Sequence, residues 1–231
     1  MGINPKKLYE ILTSEFGNLN WWPIDKSYHE KNGSDPRFEI MVGAILTQNT
    51  AWSNVEKALS NLKSLNILDL EKITNLKIDQ LTKHIRPSGF FNQKAKRLKD
   101  FAEYIKSNYN GDLNNFFDRE PLKIRQELLE LNGIGFETAD SILLYAGNFP
   151  IFVVDAYTKR LCQRLPLKTN ITYNEIQQYF ESELSKTFEK KQLPKVYNQL
   201  HALIVIFAKD YCKKKPDCIK CPIKVYCRFK K

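Results

Sequence analysis

Hydrophobic residues recur at helical spacing along almost the whole chain. In residues 4–16 the apolar positions Leu8, Ile11, Leu12 and Phe16 fall on one face of a helix. No alternating apolar and polar run of useful length occurs, so the sequence predicts an all-α fold. Helical periodicity returns in a run that begins at Asp35 and Pro36, in another after Thr50, and over residues 66–83, 92–107, 121–130, 138–147, 155–165, 171–187 and 195–210.

Turn-forming residues separate these segments at even intervals. Residues 18–36 (NLNWWPIDKSYHEKNGSDP) carry no helical pattern and are expected to form an irregular aromatic and polar loop before the helix that starts at Asp35. Internal repeats, low-complexity segments and long linkers are absent from the sequence. The chain is therefore expected to form a globule of short helices.

The composition excludes a membrane-spanning protein. Hydrophobic residues make up 42% of the 231 residues, but no apolar run reaches the eighteen or so residues needed to cross a bilayer. The first residues are helical and polar and lack the apolar core of a secretion signal. We therefore expect a cytoplasmic protein.

The charge favours a polyanionic partner. The formal net charge is +10, and residues 209–231 hold nine basic residues against two acidic ones, a local charge of +7. A lysine surplus spread over the surface would only aid solubility, whereas a localised patch indicates nucleic acid.

The stretch LNGIGFETAD, residues 131–140, predicts a tight turn between two helices. Gly133 and Gly135 permit backbone angles that a side chain would forbid. The turn exposes the first N–H groups of the second helix, which suits a phosphate. A glycine pair of this kind is often only a helix connection, so the meaning of the turn depends on its surroundings.

Asp155 follows the second helix of that pair, at the end of the apolar run FPIFVV. It begins a new helical pattern, so it could be a helix N-cap. It could equally be a desolvated carboxylate that faces a site, because Val153 and Val154 before it are apolar. Neither role excludes the other.

Four of the five cysteines are clustered near the end of the chain. Cys212, Cys218, Cys221 and Cys227 lie within sixteen residues, while Cys162 lies in an apolar helical pattern. Cytoplasmic thiols rarely form disulfides, so the four predict a metal or cluster site. Structural zinc usually uses two close cysteine pairs, and only one is present here. The uneven spacing favours an iron–sulfur cluster, with zinc as the alternative.

These motifs together resemble the helix-hairpin-helix superfamily of DNA glycosylases, the group that includes endonuclease III. The resemblance covers residues 21–227. It implies a six-helix barrel module at residues 27–149 and a second lobe formed by residues 1–26 and 150–231, with DNA and the target base between them. It also implies that the four cysteines hold a 4Fe-4S cluster, although the first gap is one residue shorter than in endonuclease III.

The resemblance also bears on the chemistry. Superfamily members that cut the strand carry a lysine four residues after the first hairpin glycine, whereas this sequence carries Glu137. The expected reaction is therefore hydrolysis of the N-glycosidic bond, with Asp155 stabilising an oxocarbenium-like transition state and activating water. Asp140 is the competing acid and is expected to be structural.

The aromatic residues resemble the 3-methyladenine branch of the superfamily. An extruded base is usually held between aromatic faces. By resemblance Trp52 stacks on the flipped purine, and Trp22 and Pro23, with Trp21 beside them, line the pocket; packing into the core is the alternative for this loop. One departure is that the alkyl-adenine enzyme of that branch lacks the four cysteines.

The remaining candidate residues concern DNA contacts. By resemblance Gln48 fills the gap that the flipped base leaves, with polar capping inside the barrel as its alternative. Lys159 and Arg160, on the helix after Asp155, are expected to face DNA. Lys94, Lys96 and Arg97 could also touch DNA, although a charge run on an amphipathic helix usually forms a solvated face.

The sequence thus predicts a monomeric, monofunctional DNA glycosylase that acts on double-stranded DNA with an alkylated purine, in the cytoplasm and at the nucleoid. Two enzymatic alternatives stay open: action on oxidised or mismatched bases, and strand cleavage through another amine. A third alternative is a non-catalytic module that binds damaged DNA. The three histidines His29, His84 and His201 are scattered and receive no role.

Overall fold

The computed structural model describes residues 2–167, 169 and 172–229 of the chain. These residues contain no β-strand, so the prediction of an all-α fold is confirmed. No helix in this part of the chain is long and apolar enough to cross a membrane. The described α-helices are α1 (Pro5–Phe16), α2 (Lys26–Asn32), α3 (Pro36–Leu46), α4 (Trp52–Ser64), α5 (Leu70–Asn75), α6 (Ile78–His84), α7 (Phe91–Tyr109), α8 (Leu113–Phe117), α9 (Pro121–Glu130), α10 (Phe136–Ser141), α11 (Ala156–Arg164), α12 (Tyr173–Ser185) and α13 (Leu193–Asp210).

The chain divides into two compact units. The hairpin unit is Trp22–Gly147, and the terminal unit joins Met1–Trp21 to Asn148–Lys231. The sequence analysis placed its boundaries after residues 26 and 149, and the assignment of a functional domain to each unit stays a prediction.

Helix α3 forms the centre of the hairpin unit. Asp35 caps its first turn by accepting a hydrogen bond from the Arg37 backbone N–H, and Pro36 occupies the first helical position, where no N–H is needed. Every residue from 38 to 46 is buried, and all of them except Glu39 are apolar. The Glu39 carboxylate lies 2.8 Å from His29 Nε2 and 3.1 Å from Lys63 Nζ, so its buried charge is paired. Helices α4, α7 and α10 pack around it.

Helix α13 plays the same part in the terminal unit. It is buried along most of its length, and α1 and α11 pack against it. An aromatic core lies beside it, in which Phe152 stacks on Phe180 with ring centroids 4.6 Å apart. Tyr197 of α13 meets Phe152 edge-on at 5.8 Å. The apolar run before Asp155 therefore contributes Phe152 to this core.

Several helix ends differ from the predicted ones. Residues 66–83 form two helices, α5 and α6, because Leu76 and Lys77 adopt extended backbone angles between them. The loop predicted at residues 18–36 contains α2, which Asp25 caps through a hydrogen bond from the Tyr28 N–H. Residues 138–147 combine the end of α10 with a five-residue π-helix, Ile142–Ala146.

Candidate active site

The turn between α9 and α10 requires a glycine at its first position. Gly133 has a φ of +81°, in the left-handed region that side chains disfavour. A Cβ atom placed there would lie 2.0 Å from Nε of Arg97. Both the backbone angle and the packing of Arg97 therefore exclude a side chain at this position.

Gly135 differs from the expectation. Its φ of −98° and ψ of 179° are extended angles that any residue adopts, and a Cβ atom there would meet nothing within 4 Å. Gly135 therefore does not use the conformational freedom that the sequence analysis attributed to both glycines. The residue instead leaves open space at the start of α10, where Phe136 and Glu137 are exposed.

Gln48 is bound to the hairpin through its side chain. Its Nε2 donates to the Gly133 carbonyl at 2.9 Å and to the Thr138 hydroxyl at 3.0 Å. Its Oε1 accepts from Arg97 at 2.5 Å. These contacts are the polar capping that the sequence analysis gave as the alternative role, and insertion of Gln48 into a duplex would require them to break.

Lys94 is buried and does not face solvent. It is 1% exposed, and its ammonium donates to the Leu46 and Ser88 carbonyls, each at 2.7 Å. Burial, helped by the charge of Arg97, lowers the pKa of Lys94 to about 8. The suggestion that Lys94 touches DNA is therefore wrong, and the residue instead joins the end of α3 to the turn before α7.

Asp155 is both a helix cap and a buried carboxylate. Its Oδ1 accepts from the backbone N–H of Thr158 at 2.7 Å and from the Thr158 hydroxyl at 2.8 Å. The residue is 7% exposed, and Val153 and Val154 before it are buried. Because the surroundings are apolar, a charge developing next to Oδ2 would interact with it more strongly than in water.

The sequence analysis missed His201, which lies beside Asp155. His201 is on α13, and its Nε2 is 3.7 Å from Oδ2 of Asp155. Burial lowers the pKa of His201, and the Asp155 charge offsets part of that shift. No local motif marks the pair, because the two residues come from helices far apart in the sequence.

Three aromatic side chains meet in the hairpin unit. Trp22 contacts Trp52 edge-on, with ring centroids 5.1 Å apart and an angle of 89° between the rings. Tyr145, which the sequence analysis did not name, contacts Trp22 at 5.2 Å. A Cβ atom on Gly43 of α3 would lie 2.8 Å from Cζ2 of Trp22, so the indole lies directly against the α3 backbone.

Tyr145 is carried by the π-helix Ile142–Ala146. Helices of this kind are rare and often lie at functional sites. The other members of the predicted pocket are Trp21, which is half-buried in the terminal unit, and Pro23, which is exposed in the hairpin unit.

Asp140 has the structural position that was expected of it. It is buried, and Arg125 binds both of its oxygens, at 2.6 Å and 3.0 Å. The same guanidinium lies over the Phe136 ring at 4.9 Å. Asp140 therefore holds the two hairpin helices together.

The two basic residues after Asp155 contact their own unit. Lys159 lies 5.7 Å from the centre of the Tyr173 ring. Arg160 donates through Nε to the Cys212 carbonyl at 2.8 Å and lies over the Tyr157 ring. Their predicted contacts with DNA stay a prediction.

The four clustered cysteines surround a cavity in the terminal unit. Cys212, Cys218, Cys221 and Cys227 all line a space of about 400 Å³. In the described part of the chain, no group of three or more histidine, cysteine, aspartate or glutamate side chains is arranged to hold a metal ion. What the four thiols have in common in this structure is the cavity that all of them line.

Hydrogen-bond donors and apolar side chains surround the sulfur atoms in this cavity. Arg164 donates to Cys212 Sγ at 3.1 Å, and the Phe229 backbone N–H donates to Cys227 Sγ at 3.4 Å. The other walls are mainly apolar, which limits the access of water to the four thiols. Cys162 lies apart, and burial raises the pKa of its thiol to about 12.

Comparisons with known proteins agree with the family resemblance of the sequence. The family model for HhH-GPD superfamily base excision DNA repair proteins matches residues 42–186, more than half of the chain. A Methanocaldococcus jannaschii protein provisionally named a DNA repair glycosylase is 46% identical over 226 residues, 97% of this chain and 96% of the relative. Endonuclease III of Sulfolobus acidocaldarius is 30% identical over 195 residues, 83% of this chain and 82% of that protein.

Solved structures show the same fold. The 3-methyladenine DNA glycosylase of H. pylori, bound to 1,N6-ethenoadenine, has a TM-score of 0.67 and 30% identity, with 90% of this chain and 98% of that chain covered. An endonuclease III trapped as a covalent intermediate with DNA has a TM-score of 0.75, with 98% and 96% covered. Its identity is 19%, so this second likeness concerns the fold alone.

Proposed function

Because this chain belongs to the HhH-GPD superfamily of base excision DNA repair proteins and is a DNA glycosylase, we propose that it removes an alkylated purine by hydrolysis alone. The observation that carries this proposal is Asp155, a buried carboxylate with one oxygen fixed by Thr158. A fixed carboxylate stabilises the positive charge that develops on the sugar as the base leaves. It also orients the attacking water and accepts its proton.

Glu137 supports a reaction without strand cleavage. It occupies the hairpin position at which, by resemblance, strand-cutting members carry a lysine, and its side chain is exposed. A carboxylate cannot form a Schiff base with the sugar. Lys94 does not replace the missing amine, because its ammonium is buried against two backbone carbonyls.

The aromatic group supports a flat, electron-poor base as substrate. Trp22 is held by Trp52, Tyr145 and the α3 backbone at Gly43, which presents a rigid wall of the hairpin unit. An alkylated adenine carries positive charge, and stacking on tryptophan adds about 0.5–2 kcal/mol of cation–π attraction. The H. pylori relative is a 3-methyladenine DNA glycosylase and binds an ethenoadenine.

Double-stranded DNA is the proposed partner. The turn at Gly133 and the open space at Gly135 would bind the phosphate backbone, and the net charge of +10 favours a polyanion. Lys159, Arg160 and an undocked Gln48 would add contacts. We propose that one copy of the protein acts on one lesion, in the cytoplasm.

We further propose that the four cysteines hold a 4Fe-4S cluster. The cavity of about 400 Å³ and the N–H groups directed at sulfur fit such a group. When bound, the cluster would order the basic loop around it for contact with phosphates. Arg164 would secure that loop, because it also donates to the carbonyls of Lys213 and Lys214.

Action on other lesions is the second candidate. A relative with 30% identity is named an endonuclease III, which favours strand cleavage in addition to base removal. Oxidised or mismatched bases would then be the substrates. The absence of an amine at Glu137 argues against cleavage but not against another lesion. The non-catalytic alternative is set aside, because the family is one of repair enzymes.

A panel of single-lesion duplexes tests the proposal. Purified protein is incubated with each duplex, and every reaction is split between a neutral quench and hot alkali. The proposal predicts release of alkylated purines, with strand breaks only after alkali. Breaks in the neutral samples would refute the monofunctional mode, and release of only oxidised pyrimidines would refute the substrate.

A further inference from the structure

The two oxygens of the Asp155 carboxylate have different surroundings. Oδ1 accepts both hydrogen bonds from Thr158 and so belongs to the cap of α11. Oδ2 accepts nothing from Thr158 and lies 3.7 Å from His201 Nε2. The cap therefore fixes the position of the carboxyl group through Oδ1, whereas Oδ2 faces His201.

His201 is held on a rigid element. It lies within α13, the buried central helix of the terminal unit, and is 8% exposed. Helix α11, which begins after Asp155, packs directly on α13. The packing of two helices thus sets the distance between the backbones that carry the imidazole and the carboxylate.

We propose that His201 is a positioning residue, whose Nε2–H donates to Oδ2 of Asp155 and fixes the orientation of the oxygen that activates water. The inference rests on the proposed role of Asp155. At 3.7 Å the two atoms are beyond hydrogen-bond distance in the structure. Rotation of the two side chains on their fixed backbones would bring them together when substrate binds, as catalytic hydrogen bonds often shorten in the complex.

The electrostatics support a neutral donor. Burial lowers the pKa of His201, so the imidazole is neutral at neutral pH and carries one N–H. A neutral donor orients the carboxylate without cancelling its negative charge. That charge is what the oxocarbenium-like transition state requires.

Two variants of His201 separate donation from packing. His201→Gln places an amide N–H close to the position of Nε2, whereas His201→Leu fills the space without a donor. Tyr197→Phe is the matched control, because it alters a buried polar atom one turn earlier on α13. Asp155→Asn is made alongside.

Single-turnover release of methylated purines is measured on duplex DNA treated with dimethyl sulfate, and affinity on a duplex with a tetrahydrofuran abasic analogue. A hydrogen bond to a charged group predicts a loss of about 10- to 100-fold in rate for His201→Leu. His201→Gln should stay within about fivefold and Tyr197→Phe within about twofold of the wild type, with affinity unchanged throughout.

Each other result contradicts a different step. A fully active Asp155→Asn would overturn the proposed function and this inference with it. An inactive Asp155→Asn beside a fully active His201→Leu would overturn this inference alone. Equal losses in His201→Gln and His201→Leu that follow their melting temperatures would also overturn it, because packing would then be the cause.

Discussion

Substitution of Gly133 by alanine should destabilise the hairpin unit through two effects, one on the backbone angle and one on the packing of Arg97. The backbone at this residue has a φ of +81°, and a side chain in the left-handed region costs about 1–2 kcal/mol. The new Cβ would also lie 2.0 Å from Nε of Arg97, so the guanidinium must move. Its hydrogen bond to Gln48 Oε1 would break, at a cost of about 1.5–3 kcal/mol for a charged donor.

The two effects together predict a loss of about 2.5–5 kcal/mol in the free energy of unfolding. Urea denaturation followed by circular dichroism measures this loss. Gly135→Ala is the matched control, because its extended backbone and open surroundings should limit the cost to below about 1 kcal/mol.

An Arg97→Ala background isolates the steric part. With the guanidinium absent, Gly133→Ala should cost only the backbone penalty of about 1–2 kcal/mol. Equal losses for Gly133→Ala and Gly135→Ala would refute the reasoning. So would a Gly133→Ala cost that does not fall in the Arg97→Ala background.

Three further predictions concern other parts of the chain. Lys94→Met leaves two buried carbonyls without donors and should cost about 2–4 kcal/mol in urea denaturation. The pKa of Lys94 is about 8 in the folded protein and 10.5 in the unfolded chain, so the unfolded chain binds more protons between these two pH values. The stability of the wild type relative to Lys94→Met should therefore rise by up to about 3 kcal/mol from pH 8 to pH 10.5. A difference in stability that does not change with pH would contradict the burial of Lys94. Iron analysis and visible absorbance should show about four iron atoms per chain in the wild type. Arg164→Met should lower the iron content, because Arg164 donates to Cys212 Sγ, whereas Arg160→Met should retain it. Stoichiometric zinc in the wild type would contradict the proposed cluster. Gly43→Ala should displace the Trp22 indole and slow purine release by about tenfold, with unchanged affinity for abasic-analogue DNA. An unchanged rate would show that Trp22 does not line the base pocket.

Periodicity alone located most of the helices. The predicted segment 121–130 coincides with α9 at both ends, because Pro121 fixes its start. The predicted segment 195–210 begins two residues late and ends where α13 ends. Long amphipathic patterns are reliable because a wide apolar face must be buried somewhere.

Short elements escaped the same reasoning. Helix α2 lies in a stretch with little apolar periodicity, and capping by Asp25 supports it locally. The π-helix that carries Tyr145 depends on packing in the hairpin unit, and an α-helical pattern does not distinguish it. Local propensity is a weak signal for elements of one or two turns.

Some residues of the candidate site could be predicted from the sequence, and others could not. Asp155 could be predicted because it ends an apolar run and begins a helix, two features that are visible in the sequence. Lys94 and His201 could not, because their roles depend on partners brought by other helices: the Leu46 and Ser88 carbonyls in one case and Asp155 in the other. The sequence also does not separate Gly133 from Gly135, since the difference is a backbone angle.

The catalytic role of Asp155 is the central claim, and Asp155→Asn tests it most directly. The amide retains the size of the side chain and can still cap α11 through its oxygen, so the fold and DNA affinity should persist. The measurement compares base release from methylated duplex with affinity for a duplex carrying an abasic analogue. The account predicts that release is abolished while affinity stays within about tenfold of the wild type. Retained release, or a loss of affinity that matches the loss of release, would contradict it.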